Sequence, residues 1–127
     1  MSARQVEAGK KRTQELLAQL YAELMSIKNA AQEAARKEFL KNKPKAEQGD
    51  TEAQFHLGTS YTNGGGVQKD YAEAYAWLNL AAKASGQAAR ARDELEKKMS
   101  PQQLAAGQKR TGELRAQIYL KLKSGGK

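Results

Sequence analysis

The sequence predicts an all-α fold in which one helix-pair repeat is flanked by amphipathic helices. Three observations support this prediction. Helix-forming residues dominate a chain of 127 residues that contains only 2 prolines. Apolar residues recur at helical spacings of three and four over most of the chain. The two ends of the chain carry closely related segments, and such internal similarity indicates a repetitive architecture.

The related segments are residues 1–24 and residues 99–122. They align without gaps at an offset of 98 positions and are identical at 14 of 24 positions. Each begins with a serine followed three residues later by a glutamine, Ser2 with Gln5 and Ser100 with Gln103, which fits a helix capping box. Two amphipathic helices are therefore predicted. Their similarity would allow copies of the chain to associate with each other. The same duplication is also expected in a segment of a longer array of repeats.

The first helix is predicted to continue beyond the duplicated segment to Pro44, where the proline disfavours helical geometry at Lys43. Residues 26–29 are a place where it can bend or restart. Its apolar stripe has the steps of a coiled-coil seam. The seam is open to two interpretations, an intramolecular packing face or a surface for a partner. The stripe consists of Leu17, Leu20, Leu24, Ile27, Ala31 and Ala34.

The middle of the chain predicts two short antiparallel helices. Ala53, Leu57 and Tyr61 recur every four residues and give the first helix one buried stripe, beginning near Thr51. Gly58 lies beside that stripe and would let another helix come close. Residues 63–66 end this helix, because glycine tolerates the left-handed conformation of a helix C-terminus.

The second helix of the pair is predicted to begin at Asp70, followed three residues later by Glu73, because an aspartate side chain accepts hydrogen bonds from free backbone donors. Two helices joined by a short glycine-rich loop pack against each other, and neither buries its stripe alone. The apolar face of the second helix consists of Tyr71, Ala74, Trp77, Leu78 and Ala81.

This segment resembles a Sel1-like repeat, a tetratricopeptide-related unit, of the bacterial type. The positions that carry the resemblance are Gly49, Ala53, Leu57, Gly58, Tyr61, Gly64, Gly66, Val67, Asp70, Ala74, Trp77, Ala81 and Ala82. Residues 86–103 look like the shortened closing unit of such arrays, so that the resemblance covers about residues 45–110. It implies a short α-solenoid. Because only one full copy is present, the flanking helices are expected to supply the missing layers.

One structural domain with three regions is therefore expected. Residues 1–44 form a long amphipathic N-terminal helix region. Residues 45–98 hold the Sel1-like repeat and a degenerate second repeat, and residues 99–127 form a C-terminal capping helix with a flexible tail.

The resemblance implies a non-enzymatic scaffold or adaptor that binds a protein partner. In tetratricopeptide-like folds the first helix of each pair lines the binding surface. The residues opposite the buried stripe of that helix are therefore the candidate binding face, although an ordinary solvated face would have the same composition. These residues are Glu52, His56, Thr59 and Asn63.

The charge distribution supports an alternative function. The net charge is +5 over residues 1–45, −2 over residues 46–98 and +5 over residues 99–127, which sums to +8. The basic ends would contact nucleic acid or another polyanion, although no nucleic-acid motif is present. A purely architectural segment of a longer array is a further alternative. The candidate polyanion contacts are Lys10, Lys11, Arg12, Lys109 and Arg110.

The sequence offers no candidate catalytic, metal or cofactor site. Cysteine is absent, and the single histidine, His56, has no ligand partner at a recognised spacing. The glycines at 64–66 are followed by Val67, where a phosphate-binding loop would need lysine and a hydroxyl residue. No apolar stretch approaches the length of a membrane span, and no signal peptide is recognisable. As written, the sequence predicts a cytoplasmic protein without membrane contact.

Overall fold

The computed structural model describes residues 2–125, which form five α-helices and no strand. The helices are α1 (Ala3–Glu47), α2 (Thr51–Asn63), α3 (Tyr71–Ala81), α4 (Gly86–Glu96) and α5 (Pro101–Gly125). The predicted all-α fold is confirmed. Helix α5 continues to Gly125, beyond the duplicated segment, and residues 126–127 lie outside the described part of the chain. Within residues 2–125, no helix combines the length and the apolar content that crossing a bilayer requires.

The chain divides into two compact units, Met1–Glu33 and Ala34–Lys127, so that α1 begins in one unit and ends in the other. This division differs from the predicted boundary at residue 44. α1 is continuous through residues 26–29 and past Pro44, and the prediction that it stops at the proline is wrong. Proline costs one intrahelical hydrogen bond. Burial on both sides of it holds the helix, because Phe39 is 7% exposed and Ala46 is fully buried.

The first unit is a single stretch of helix whose described residues are all exposed. Its apolar stripe keeps much of its surface, with Leu17 60%, Leu20 52% and Leu24 55% exposed. The expectation that both related end segments complete the core is therefore wrong for residues 2–24. Of the two related helical segments, only the one in α5 contributes buried residues.

Helices α2 and α3 begin and end where their capping residues predict. Asp50 Oδ1 accepts a hydrogen bond from the backbone N–H of Ala53 at 2.9 Å, which starts α2. Asp70 Oδ1 accepts one from the N–H of Glu73 at 3.1 Å, which starts α3. Gly64 ends α2 in the left-handed region at φ 75°. These caps confirm the predicted helix pair and set the length of the loop between its members.

Gly66 allows the loop between α2 and α3 to lie close to residues 34–47, the part of α1 that belongs to the second unit. Its φ is 77°, and a Cβ atom built on it would collide with backbone atoms of Ala35 and Arg36. Gly64 has nearly the same φ, but a Cβ there would meet no atom closer than 3.7 Å. Both positions therefore favour glycine for backbone reasons, whereas only Gly66 also needs it for a close contact between chain segments.

α3 is the centre of the second unit and is buried on all sides. Five consecutive residues, Ala74–Leu78, are buried, together with Ala81. α3 packs against α2, α4 and α5. The approach to α2 is close because of Gly58, where a Cβ would lie 2.6 Å from Leu78 Cδ2. The approach to α5 is close because of Gly107, where a Cβ would lie 2.8 Å from Tyr75 Cδ1.

Polar groups join α3 to α5 alongside the apolar contacts. Arg110 Nε donates to Glu73 Oε1 at 2.6 Å, and Trp77 Nε1 donates to Glu73 Oε2 at 3.2 Å. The hydrogen bond to Glu73 is the main reason that the pKa of Arg110 is raised above its usual value. One carboxylate therefore satisfies a buried indole and a half-buried guanidinium, so that neither donor is left unpaired.

A second polar link connects three helices through Asn79. Its Nδ2 donates to Thr111 Oγ1 of α5 at 3.4 Å, and its Oδ1 accepts from Arg92 Nη1 of α4 at 2.9 Å. Thr111 Oγ1 also donates to the carbonyl of Gly107 at 2.8 Å. These bonds satisfy the side-chain polar groups at the junction of α3, α4 and α5 and restrict how α5 can lie on α3.

Comparison of Gly66→Ala with Gly64→Ala will measure the contact between the loop and α1. Both substitutions place alanine at positive φ, which costs about 1–2 kcal/mol. Gly66→Ala also forces backbone apart and is expected to cost about 2 kcal/mol more than Gly64→Ala in the free energy of unfolding. Urea denaturation measures both. Equal losses would show that the contact with Ala35 and Arg36 contributes nothing.

Substitution of Gly107 and Gly112 by alanine separates packing from helix propensity in α5. Gly112 is exposed, and a Cβ added there would have no atom within 4 Å, so Gly112→Ala should stabilise the protein by about 0.5–1 kcal/mol. Gly107→Ala gains the same propensity but pushes against the Tyr75 ring, and we expect a net loss of about 1–2 kcal/mol. Thermal unfolding of both variants tests this, and a stabilised Gly107→Ala variant would contradict the tight contact.

Alkaline pH is expected to destabilise the fold through Tyr61 and Tyr75. Burial raises the pKa of both phenols above the ordinary value of 10.0. The folded state therefore favours the neutral phenols, which contribute to the free energy of unfolding. This contribution is complete below pH 10 and is lost as the pH rises through the folded-state pKa. Urea unfolding from about pH 8 to 11 should show a fall in stability that is smaller in Tyr61→Phe. Tyr119→Phe, whose ring is 62% exposed, is the control and should follow the wild type.

Candidate protein-binding surface

The predicted binding face lies on the exposed side of α2. Glu52, His56, Thr59 and Asn63 are all exposed and follow one another at spacings of four, three and four, so they share one side of the helix. His56 Nε2 lies 3.7 Å from Glu52 Oε1. Thr59 Oγ1 donates to the carbonyl of Phe55 at 3.0 Å and is therefore engaged with its own helix. Glu52, His56 and Asn63 are the members of this face with outward polar groups.

A polar groove of about 230 Å³ lies between the end of α1 and α2. Carboxylates and ammonium groups both line it, so the groove carries both signs of charge. Glu52 and His56 form its wall on the α2 side, and Asn42 is held by a hydrogen bond from its Nδ2 to the carbonyl of Glu38 at 3.1 Å. The lining residues are Glu38, Lys41, Asn42, Lys45, Asp50, Glu52, Ala53 and His56.

A second depression, of about 530 Å³, lies on the other side of Glu52 and His56, between α2 and the start of α4. Half-buried Phe55 gives it an apolar part, packed against the α3 core. The Ser85 hydroxyl oxygen caps α4 by accepting from the N–H of Ala88 at 3.1 Å. Glu52 and His56 therefore form a ridge with a polar groove on one side and a partly apolar depression on the other. The lining residues are Thr51, Glu52, Phe55, His56, Ser85 and Gln87.

A third depression, of about 570 Å³, lies between the starts of α3 and α5 and contains none of the predicted site residues. Its carboxylate, Asp70, already caps α3. In the part of the chain that the structure describes, no three His, Asp or Glu side chains lie together in a way that would hold a metal ion. The chemistry available at these surfaces is hydrogen bonding, ion pairing and apolar contact.

The candidate polyanion contacts differ in their surroundings. Lys10, Lys11 and Lys109 are exposed, whereas Arg110 is half-buried and bound to Glu73. Arg12 lies 3.7 Å from Glu15. Lys10, Lys11 and Arg12 belong to the first compact unit, and Lys109 and Arg110 to the second. Contact between Arg110 and a phosphate would have to compete with a bidentate carboxylate.

The sequence did not identify the residues of α1 that line the polar groove. They were not recognised because the first helix was predicted to end at Pro44, which would place Lys45 in a loop. A signal was present: Glu38, Lys41, Asn42 and Lys45 follow at spacings of three, one and three, which places them on one helix face. Phe55 was also missed as a surface feature, because its neighbourhood depends on how α4 packs beside α2.

Comparison with protein families agrees with this architecture. Residues 51–85 match the Sel1 repeat family, and the match covers α2, α3 and the turn before α4. Comparisons with curated proteins and with solved structures give no match. The capped helix pair, its glycine-rich loop and the small-residue contact at Gly58 lie within the matched segment. Residues 51–85, which hold the α2–α3 pair, therefore correspond to one Sel1 repeat.

Proposed function

We propose that the chain is a non-enzymatic scaffold or adaptor that binds a protein partner across the exposed face of α2. The observation that carries the proposal is the ridge of Glu52 and His56 between two depressions. A partner segment crossing α2 would place side chains on both sides of this ridge. Sel1 repeats generally mediate protein–protein interaction, and the matched segment of this chain supports the same role.

The chemistry of the two depressions favours a polypeptide with mixed side chains. The polar groove offers Lys41 and Lys45 to carboxylates and Glu38 and Glu52 to basic groups. The depression at Phe55 offers apolar contact. A polyanion would meet the acidic residues of the groove unfavourably, whereas a segment with both charges and one apolar side chain would match all three features.

Polyanion binding stays the alternative proposal, and it concerns a different part of the surface. It depends on exposed Lys10, Lys11 and Lys109, with Arg12, because Arg110 is paired with Glu73. Binding of this kind weakens steeply with salt. A purely architectural role, in which other repeats carry the binding, would leave the α2 face without a partner.

The proposal predicts that the double variant Glu52→Ala and His56→Ala loses the partner. Affinity capture with the full chain from the cells that produce it identifies the partner, and calorimetry then measures its affinity. We expect an affinity about tenfold weaker or more, which corresponds to about 1.4 kcal/mol. The fold should persist, because an exposed pair of this kind contributes less than about 1 kcal/mol.

The matched control is the double variant Glu94→Ala and Lys97→Ala, which removes an exposed ion pair of 3.0 Å at the end of α4. Its affinity should stay within about twofold of the wild type. Equal loss in both double variants, or no loss in the first, would refute the α2 face. Gel shifts with random DNA and RNA at two salt concentrations test the alternative, which requires a complex that persists at moderate salt.

A further inference from the structure

Residues 2–24 repeat the part of α5 that packs on α3. In residues 100–122, six positions are buried or half-buried: Leu104, Gly107, Arg110, Thr111, Leu114 and Ile118. Their counterparts at the offset of 98 are Val6, Gly9, Arg12, Thr13, Leu16 and Leu20. Four of the six are identical, and the other two exchange one aliphatic residue for another. The whole inner face of α5 is therefore present a second time in the chain.

Most of the differences between the two segments lie outside that inner face. The copies differ at 10 of 24 positions, and 8 of these correspond to exposed residues of α5. The two remaining differences are the aliphatic exchanges. Solvated positions of a helix tolerate most substitutions, whereas positions in a packed interface do not. The pattern of differences is therefore the one expected if residues 2–24 also pack into an interface of the α5 type.

The interface of α5 shows what such a helix needs from its partner. Gly107 lets the Tyr75 ring approach, and Arg110 reaches Glu73 at 2.6 Å. Thr111 accepts from Asn79 at 3.4 Å. Leu114, only 3% exposed, belongs to the same core cluster as Trp77. An aromatic ring, a carboxylate, an amide and an indole on one helix therefore define the groove that α5 closes.

The corresponding residues of α1 are exposed. Leu16 is 48% and Leu20 52% exposed, compared with 3% for Leu114. A Cβ on Gly9 would meet no atom within 4 Å, so no contact in the described chain requires glycine there. Glycine in a helix interior destabilises the helix relative to alanine, so its presence without such a contact is unexplained within this chain. Thr13 Oγ1 nevertheless donates to the carbonyl of Gly9 at 2.9 Å, as Thr111 does to Gly107 in α5.

We propose that residues 2–24 are a second closing helix, which docks on an open Sel1-type helix pair other than the α2–α3 pair of the same chain. The second helix of that pair carries a carboxylate, an aromatic ring, an indole and an amide at the spacing of Glu73, Tyr75, Trp77 and Asn79. Gly9 receives the aromatic ring, and Arg12 pairs with the carboxylate. Thr13 meets the amide, and Leu16 and Leu20 fill the apolar end of the groove.

A second copy of this chain fits the same face less well. The groove on its α3 is already covered by its own α5, so docking would only exchange one helix for its equivalent. The exchange would also be unfavourable at one position. Lys121 of α5 lies 3.5 Å from Glu47, whereas the counterpart of Lys121 in the first segment is Glu23. A partner with a basic or neutral residue in place of Glu47 avoids this repulsion.

The test uses full-length chains, with variants of this protein as the open helix pair. Each acceptor also carries Glu47→Gln, so that Glu23 of the donor meets no carboxylate there. The acceptor carries Gly9→Leu and Gly107→Leu, so that neither of its own closing helices can reach α3. The donor is the wild-type chain, whose α5 is engaged and whose residues 2–24 are free to dock. Analytical ultracentrifugation should show a complex of one donor and one acceptor. Circular dichroism should show that the donor raises the melting temperature of the acceptor by mass action.

Matched variants of the donor locate the contact. Gly9→Leu should weaken the complex about tenfold or more, since the added side chain meets the aromatic ring. This variant also favours helix formation, so lost binding is not lost helix. Gln14→Leu places the same leucine at the counterpart of exposed Gly112 and should leave the affinity within about twofold. None of these positions belongs to the α2 face, so this proposal and the proposed function stand or fall separately.

A charge exchange provides a second acceptor in case the acceptor with Gly9→Leu and Gly107→Leu does not fold. Glu73→Arg repels the chain's own Arg110 and should bind the Arg12→Glu donor in preference to the wild-type donor. No complex with either acceptor would overturn the proposal. A wild-type chain that dimerises by itself, and loses the dimer on Gly9→Leu, would also overturn it by showing that the occupant is a second copy.

Discussion

The burial of α3 on every side along Ala74–Leu78 is the constraint on which the rest of the structure depends. A helix that is apolar around its whole circumference has to be covered from every side. α2 covers one side through Gly58, α5 covers another through Gly107, and α4 closes the remainder. The second part of α1 completes the core around Trp77 with Phe39 and Ala46. Helices α4 and α5 and the C-terminal part of α1 therefore cover surfaces of the helix pair that it cannot bury by itself.

Glu73 helps to fix the position of α5 along α3. Its carboxylate accepts from the Trp77 indole within α3 and from Arg110 across the interface, so one side chain connects the core to the covering helix. Apolar contacts alone would tolerate a helix that slides along the groove. A bidentate ion pair and the bond between Asn79 and Thr111 restrict the register. Residues 2–24 repeat the α5 members of these two links, Arg12 and Thr13, on an exposed helix.

Two surfaces of different character thus follow from one repeat architecture. The α2 face is a ridge between a charged groove and a partly apolar depression, and it is formed by residues that the core does not use. The face of residues 2–24 repeats the α5 side of an internal interface, and its residues are exposed in the described chain. The first suits a segment with mixed side chains laid across a helix, and the second suits a folded helix pair.

The sequence by itself determined the helix pair, because its signals are local: Asp70 and the glycines of the loop define helix ends through neighbouring backbone groups. It also identified the exposed residues of α2, since helical periodicity places them opposite the buried stripe. Only the tertiary structure decided where α1 ends, because burial of Phe39 and Ala46 outweighs the local effect of Pro44. It likewise decided the different surroundings of two closely related segments. Residues 2–24 and α5 have the same helical pattern, and whether such a pattern is buried depends on the helix that lies beside it, which is a non-local property.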